Sequence, residues 1–293
     1  MSQSLIHVQN LSVVYRNGHV AIQDISFKLD SGRICGLVGA NGAGKSTLYK
    51  ALMGFVTPAQ GHVLLKGSPV KQALKNNIVS YVPQTEDVDW NFPVLVKDVV
   101  MMGRFGHMGW IRWSRAEDKK AVNEALERVE MEKYQDRQIG ELSGGQKKRV
   151  FLARALAQKS PIILLDEPFT GVDFNTEKNI ISLLKELRDD GKLIMVSTHN
   201  LGSVPDYCDE VMLINRILVA KGPVSTTYTK DNLEKTFGPM LRHLTMEGGE
   251  LHADEDPRGM TVITDDERPL VLYGRSEDQK IVKGGRKGKN SED

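Results

Sequence analysis

Apolar residues alternate with polar ones at the start of the chain, through Ile6, Val8, Leu11 and Val13 to Tyr15. A second alternating run through Ile22, Ile25, Phe27 and Leu29 follows a turn at Asn17-Gly18. That period predicts an antiparallel hairpin. The run 34–38 is continuously apolar and predicts a buried strand, with a helix over 48–54 behind it. Short strands are expected at 62–65 and 78–82. From about Val94 the period becomes helical. An apolar segment spans 94–102, and a second helix starts at Ser114 with Glu117 three residues on, a capping box. Its buried stripe is Val122, Ala125, Leu126 and Val129. Another helix covers 150–156. The four-residue apolar runs 162–165 and 193–196 mark central parallel strands. Between them, Asp173 opens a helix with the stripe Ile180, Leu183, Leu184 and Leu187. Strands at 211–215 and 217–220 and a helix at 231–237 close the pattern.

This alternation predicts an α/β fold: a mostly parallel core sheet, an antiparallel β-subdomain ahead of it, and a helical insertion over about 90–157. One domain is expected over 1–245. Residues 246–293 read as a charged, flexible extension. Within it 260–263 and 270–273 could pair as a marginal hairpin, and 284–290 form a solvated tail.

Charge narrows the function classes. With 39 basic and 38 acidic residues, the net charge of +1 leaves no electrostatic footprint for nucleic acid. No apolar run approaches the roughly 20 residues that cross a bilayer, and the N-terminus lacks a signal-peptide pattern. The two cysteines, Cys35 and Cys208, stand apart and fit a reducing, cytosolic compartment. The seven histidines are scattered and form no metal cage.

Candidate chemistry begins at the end of the strand over 34–38. Gly39, Ala40, Asn41, Gly42, Ala43, Gly44, Lys45 and Ser46 have the spacing G-x-x-x-x-G-K-S, followed by Thr47: a phosphate-binding P-loop. Glycines let successive amides turn inward around an anion, and the following helix adds its positive end. Lys45 can reach the β- and γ-phosphates, and the Ser46 hydroxyl can ligate Mg²⁺. The chain therefore binds a nucleoside triphosphate. Three further strands end in polar residues: Gln84 after 78–82, Asp166-Glu167 after 162–165 and His199 after 193–196. Ligands of α/β sheets gather at that edge. Gln84 could touch Mg²⁺ or the attacking water. Asp166 suits Mg²⁺, and Glu167 could orient or deprotonate the water. Adjacent carboxylates face opposite sides of a strand, so the two cannot share one role. His199 could hydrogen-bond a γ-phosphate. Tyr15 could stack on an adenine, although a half-buried strand tyrosine is the plainer reading.

Ser143, Gly144, Gly145 and Gln146 form a second anion-binding helix start. One nucleotide does not need two such loops from one chain, so a composite site between two copies would account for it. The segment 104–113 carries Phe105, Met108, Trp110 and Trp113, residue types enriched at interfaces; the alternative is a small helical core.

Over about 1–240 these residues resemble the ATP-binding cassette (ABC) ATPases. Tyr15 matches the adenine-stacking aromatic and 39–46 the Walker A. Gln84 matches the Q-loop and 142–146 the family signature. Residues 162–167 match the Walker B with its catalytic glutamate, Asp173 the D-loop aspartate and His199 the switch histidine. The resemblance implies ATP and Mg²⁺ as cofactors and a head-to-tail homodimer, each ATP lying between one Walker A and the other copy's signature. Segments 84–94 and 99–109 resemble ATPases of bacterial manganese, iron or zinc importers. That implies integral-membrane permease subunits contacted around Phe105, Met108, Trp110 and Trp113. It also implies an extracytoplasmic metal-binding protein as an indirect partner, and a peripheral location on the cytoplasmic face of the inner membrane. An exporter ATPase would share every catalytic residue. A non-transport ABC protein would usually carry two cassettes or a long coiled coil.

Overall fold

The computed structural model describes residues 4–84, 92–238, 242–246, 258–264, 269–274 and 280–281. Strands β1 (Ser4–Val14) and β2 (Val20–Asp30) form the expected hairpin, with Val8 opposite Phe27 and Val13 opposite Ile22. Next come β3 (Arg33–Val38) and helix α1 (Lys45–Leu52), then β4 (Gln60–Leu65), β5 (Ser68–Pro69) and α2 (Val70–Lys75). β6 (Val79–Val82) precedes a helical insertion of α3 (Val96–Met102), α4 (Ala116–Arg128) and α5 (Gly144–Ala157). The chain returns through β7 (Ile162–Asp166), α6 (Phe174–Asp189) and β8 (Leu193–Thr198). It then forms α7 (Val204–Tyr207), β9 (Glu210–Asn215), β10 (Ile217–Pro223), α8 (Val224–Thr227) and α9 (Lys230–Phe237). Four strands follow: β11 (Arg242–Met246), β12 (Gly259–Thr264), β13 (Leu270–Gly274) and β14 (Lys280–Ile281).

The central sheet has the order β10-β9-β3-β8-β7-β6. Pairing from β9 through β6 is parallel, and only β10 runs antiparallel. Every residue of β7 and β8 is buried, as the continuous apolar runs require. One face of this sheet packs with the hairpin and α1 around Ile22, Leu37, Leu48 and Leu164. The other packs with the helical insertion and α6 around Val150, Leu165, Leu184 and Val196. Since the strands are parallel, the segments leaving β3, β6, β7 and β8 all emerge at one edge.

Two expectations change. Helix α4 begins at Ala116, not at Ser114, because Asp118 accepts the Arg115 amide at 3.0 Å in place of a Ser114–Glu117 box. Asp118 is fixed there by a buried ion pair, with Arg104 Nε at 2.9 Å, while Arg104 also donates to the Ala157 carbonyl. In the extension, expected to be flexible with at most a marginal hairpin, β12 and β13 do pair as that hairpin, and with β14 and the preceding β11 they form a four-stranded antiparallel sheet of order β11-β12-β13-β14. Its alternation buries Ile263, Leu270 and Leu272 in a cluster with Val38, Leu213, Tyr228 and Phe237. A cassette surface, absent from any short-range reading of the tail, thus covers what a lone hairpin would leave wet. Trp90 and the stretch 284–290 lie outside the described residues.

Beyond the buried Arg104, the apolar side chains between α3 and α4 do not join the core. Trp110 is fully exposed, Ile111 and Trp113 are each 80% exposed, and Phe105 carries the Arg112 guanidinium 4.9 Å above its ring. Among the described residues no helix is long and apolar enough to cross a membrane.

If the terminal sheet is an integral part of this fold, Leu272→Ala opens a cavity in a filled seam and costs about 2–4 kcal/mol. Equilibrium denaturation checks it; a loss below about 0.5 kcal/mol, the size of a surface substitution, would show that the seam contributes nothing.

Candidate functional site

The loop between β3 and α1 owes its glycines to packing as much as to backbone freedom. A Cβ on Gly39 would lie 2.3 Å from the Ile214 carbonyl oxygen of β9. Gly44 caps α1 in the left-handed region, at φ 101°, and a Cβ there would meet Ile22 of β2 at 2.5 Å. The Arg216 amide holds Ala43 from outside, donating to its carbonyl at 2.8 Å. Inside the loop, Lys45 Nζ donates to the Gly39 carbonyl at 2.6 Å and to that of Ala40 at 3.2 Å. The ammonium of this buried residue is thereby folded over the loop, in position to meet an anion arriving on the amides.

Beside the loop lies a cavity of about 210 Å³ bounded by Tyr15, His19, Lys45, Thr47, Gln84 and Glu167; Asn41 and Ser46 also face it. The Tyr15 hydroxyl and Thr47 Oγ1 are 3.1 Å apart, which pins the aromatic ring to the first turn of α1. His19 was not anticipated. Its signal was faint: it stands just past the Asn17-Gly18 turn and pairs with Tyr15 across it, the Tyr15 amide donating to the His19 carbonyl at 2.9 Å.

At the end of β7 the two carboxylates have different surroundings. Asp166 is 4% exposed. The fully buried Ser197 hydroxyl donates to its Oδ1 and the Tyr81 hydroxyl to its Oδ2, the latter at 3.3 Å. Both donors are neutral, so they fix the carboxylate without cancelling its charge. Tyr81 in turn packs edge-on against Tyr49, whose own hydroxyl donates to the Met195 carbonyl at 2.9 Å. Neither Ser197 nor Tyr81 was legible as a site residue, since both are interior strand positions.

Glu167 leaves the strand in a left-handed conformation, φ 50°, uncommon for a residue with a Cβ. Its amide donates to Ser197 Oγ at 3.0 Å, which holds the turn. The carboxylate then gathers three donors: Gln84 Nε2 at 2.7 Å, His199 Nδ1 at 3.0 Å and Thr170 Oγ1 at 3.4 Å. The hydrogen bond from His199 pulls the Glu167 carboxyl below the ordinary glutamate range; burial opposes this, and the charges of His199 and Lys45 reinforce it. At neutral pH the group is a fixed anion beside the phosphate loop, suited to orienting a water.

Ser143, Gly144, Gly145, Gln146 and Asp173 neither line this cavity nor join the Glu167 cluster beside it. Ser143 caps α5, its Oγ accepting the Gln146 amide at 3.3 Å while Gln146 Oε1 accepts the Ser143 amide at 2.9 Å. Gly144 and Gly145 follow in open space: a Cβ on either would meet nothing within 4 Å. Asp173 caps α6 through the Asn175 and Thr176 amides, at 3.0 and 3.1 Å. The Thr176 hydroxyl, 2.6 Å away, contributes most to holding its carboxyl below the usual range. Among the described residues no group of three or more His, Cys, Asp or Glu side chains could hold a metal ion by itself.

Because the hydrogen bond from His199 is the largest cause of the lowered Glu167 pKa, His199→Ala should raise it. Carbon-13 NMR of labelled glutamate would record titration at higher pH in the variant; an unchanged or lower midpoint would contradict the assigned cause.

The family model described as "ABC transporter" matches residues 22–170. The chain is 60% identical over 284 residues to the chelated iron transport system membrane protein YfeB of Yersinia pestis, covering 97% of this chain and 96% of that one. It is 55% identical over 243 residues to the manganese transport system ATP-binding protein MntA of Synechocystis, covering 82% and 94%. A dimeric ATP-binding cassette solved in a post-hydrolysis state with ADP and phosphate superposes with a TM-score of 0.65 at 26% identity, over 75% of this chain and 99% of that one. The glycine loop around Lys45, the strand-end carboxylates and His199 thus sit in a fold shared with hydrolytic cassettes, and the chain belongs to the ABC transporter family as an ATP-hydrolysing cassette.

Proposed function

We propose that this chain is the ATPase subunit of an importer of a divalent transition metal, manganese or iron, working as a homodimer on integral-membrane permease partners. The observation that carries the two-copy reading is the openness of Gly144 and Gly145. They head a capped helix with unencumbered backbone, outside the cavity that holds Lys45. Helix starts of this kind bind anions. A triphosphate seated on Lys45 of one copy would be covered by the Ser143–Gln146 segment of the other, with Asp173 near the same seam. The metal reading is supported by the relatives that carry iron and manganese in their names.

Within each site the roles divide by chemistry. The amides of 39–44 and the Lys45 ammonium take up phosphate charge. Tyr15, with His19 beside it, offers a ring to the base. Glu167, kept anionic and aimed by His199 and Gln84, orients the attacking water, and His199 steadies the γ-phosphate. Ser46, Asp166 and Gln84 present hard oxygen donors of the type Mg²⁺ prefers, and Asp166 is held without being neutralised. These residues would hold the ion, which supplies charge neutralisation to the phosphates when bound.

The exposed aromatic segment would receive the permease. Single aromatic residues on a surface need no explanation, but Phe105, Trp110, Ile111 and Trp113 lie within nine residues of chain, with half-buried Met108 among them. Arg104 and Asp118 brace its base through their buried ion pair. A peripheral place on the cytoplasmic face of the bacterial inner membrane follows, with an extracytoplasmic metal-binding protein as the indirect partner.

In cells lacking this subunit, accumulation of manganese or iron should fall and return with the wild-type chain but not with Glu167→Gln. Isotope uptake compared across manganese, iron and zinc checks this; undiminished uptake of all three in the deletion would refute the importer reading. Trp110→Ala and Trp113→Ala should reduce copurification with the permease while ATP affinity stays within about twofold, since a truncated interface aromatic acts on the interface alone. Unchanged assembly in both variants would remove the segment from the interface.

A further inference from the structure

Between α5 and the central sheet runs a mainly apolar cleft of about 300 Å³, walled by Phe151 and Leu152 on one side and by Leu165, Pro168 and Ile180 on the other. Lys148 lines it one turn into α5, two residues past the Ser143–Gln146 segment. A lysine on such a helix normally extends its ammonium into water. Lys148 instead crosses to the loop after β7 and donates to the Thr170 carbonyl. Burial lowers its pKa, and the nearby charge of Glu167 counters that effect. The loop it reaches is tight: the Thr170 amide turns back onto the Glu167 carbonyl at 3.4 Å, and Thr170 Oγ1 donates to Glu167 Oε2 at 3.4 Å. Gln84 Nε2 donates to the same carboxylate oxygen at 2.7 Å.

We infer that Lys148 is a positioning residue: through Thr170 it ties the helix that would cover the partner copy's ATP to the glutamate that acts on this copy's own ATP. The inference rests on the two-copy reading above and deepens it. The path consists of Lys148 Nζ, the Thr170 carbonyl, the Thr170 hydroxyl and the Glu167 carboxylate, and it spans from α5 to the loop after β7 across the cleft. A shift of α5 on engaging a neighbouring phosphate moves Thr170, and Thr170 re-aims one oxygen of Glu167. The opposite oxygen, held by His199, supplies the pivot. A displacement of about an ångström at such a carboxylate is enough to change turnover, because water attack depends on alignment. Lys148 itself is not among the residues bounding the nucleotide cavity, so its removal should leave ATP binding alone.

Lys148→Met keeps the apolar stem in the cleft and removes the donor; Lys148→Arg keeps a donor of similar reach. ATPase assays on the full chain should show kcat about tenfold lower in Lys148→Met, with KM for ATP within about twofold and the Hill coefficient falling towards unity. Lys148→Arg should recover most of both, and the thermal midpoint of either variant should match the wild type. Wild-type kcat and cooperativity in Lys148→Met would overturn the tether, as would a loss that Lys148→Arg fails to restore or one that tracks a lowered midpoint. If instead the wild-type chain itself shows no cooperativity and a specific activity independent of its own concentration, the two-copy reading fails, separately from Lys148.

Discussion

Parallel pairing of β6, β7, β8 and β3 delivers Gln84, the Asp166–Glu167 pair, His199 and the phosphate loop to one edge of a sheet whose central strands have no contact with water. Carboxylates at that edge are set against a low-dielectric interior, where an unpaired charge is costly. The chain meets this differently for each. Asp166 is fixed by two hydroxyls that leave its charge intact, while Glu167 is turned out of the strand by a left-handed backbone and given a cluster of nitrogen and hydroxyl donors. Ser197 serves both, donating to Asp166 and accepting the Glu167 amide. One hydroxyl on β8 therefore sets the relative placement of the two acids.

The same sheet edge explains what each copy lacks. Lys45, Glu167 and His199 converge, yet the capped start of α5 and the cap of α6 remain outside with exposed polar groups. Two anion-binding helix starts on one chain, only one of which faces its cavity, make sense when a second copy completes the enclosure. The cleft beneath α5 then has a use as the seam along which the helical insertion can move, with Lys148 as the contact that reports the movement to Glu167.

Much of this was legible from residue pattern because it depends on short-range spacing. The apolar run ahead of Asp166, the glycine spacing around Lys45 and the Ser143 cap are each local, and each occurs where the pattern put it. The exposed Trp110 and Trp113 resolve, in favour of surface, a question that composition left open. What could not be read depends on partners distant in sequence. Ser197 and Tyr81 look like ordinary strand residues until the register of β6, β7 and β8 brings them to Asp166. The start of α4 moved because Asp118 answers to Arg104, fourteen residues back. The terminal strands, legible only as a marginal hairpin over 260–263 and 270–273, pair as expected and gain their support by burying Ile263, Leu270 and Leu272 against the cassette.

The account stands on triphosphate being enclosed between two copies of the chain. Sedimentation velocity of Glu167→Gln, in which the carboxylate proposed to orient water is gone but the loop around Lys45 is untouched, tests this most directly. Mg-ATP should convert the variant from monomer to a stable dimer, and replacing Ser143 with arginine in the same chain should prevent it. A variant that binds Mg-ATP yet sediments as a monomer, or that dimerises equally well with Ser143 replaced, would contradict the account.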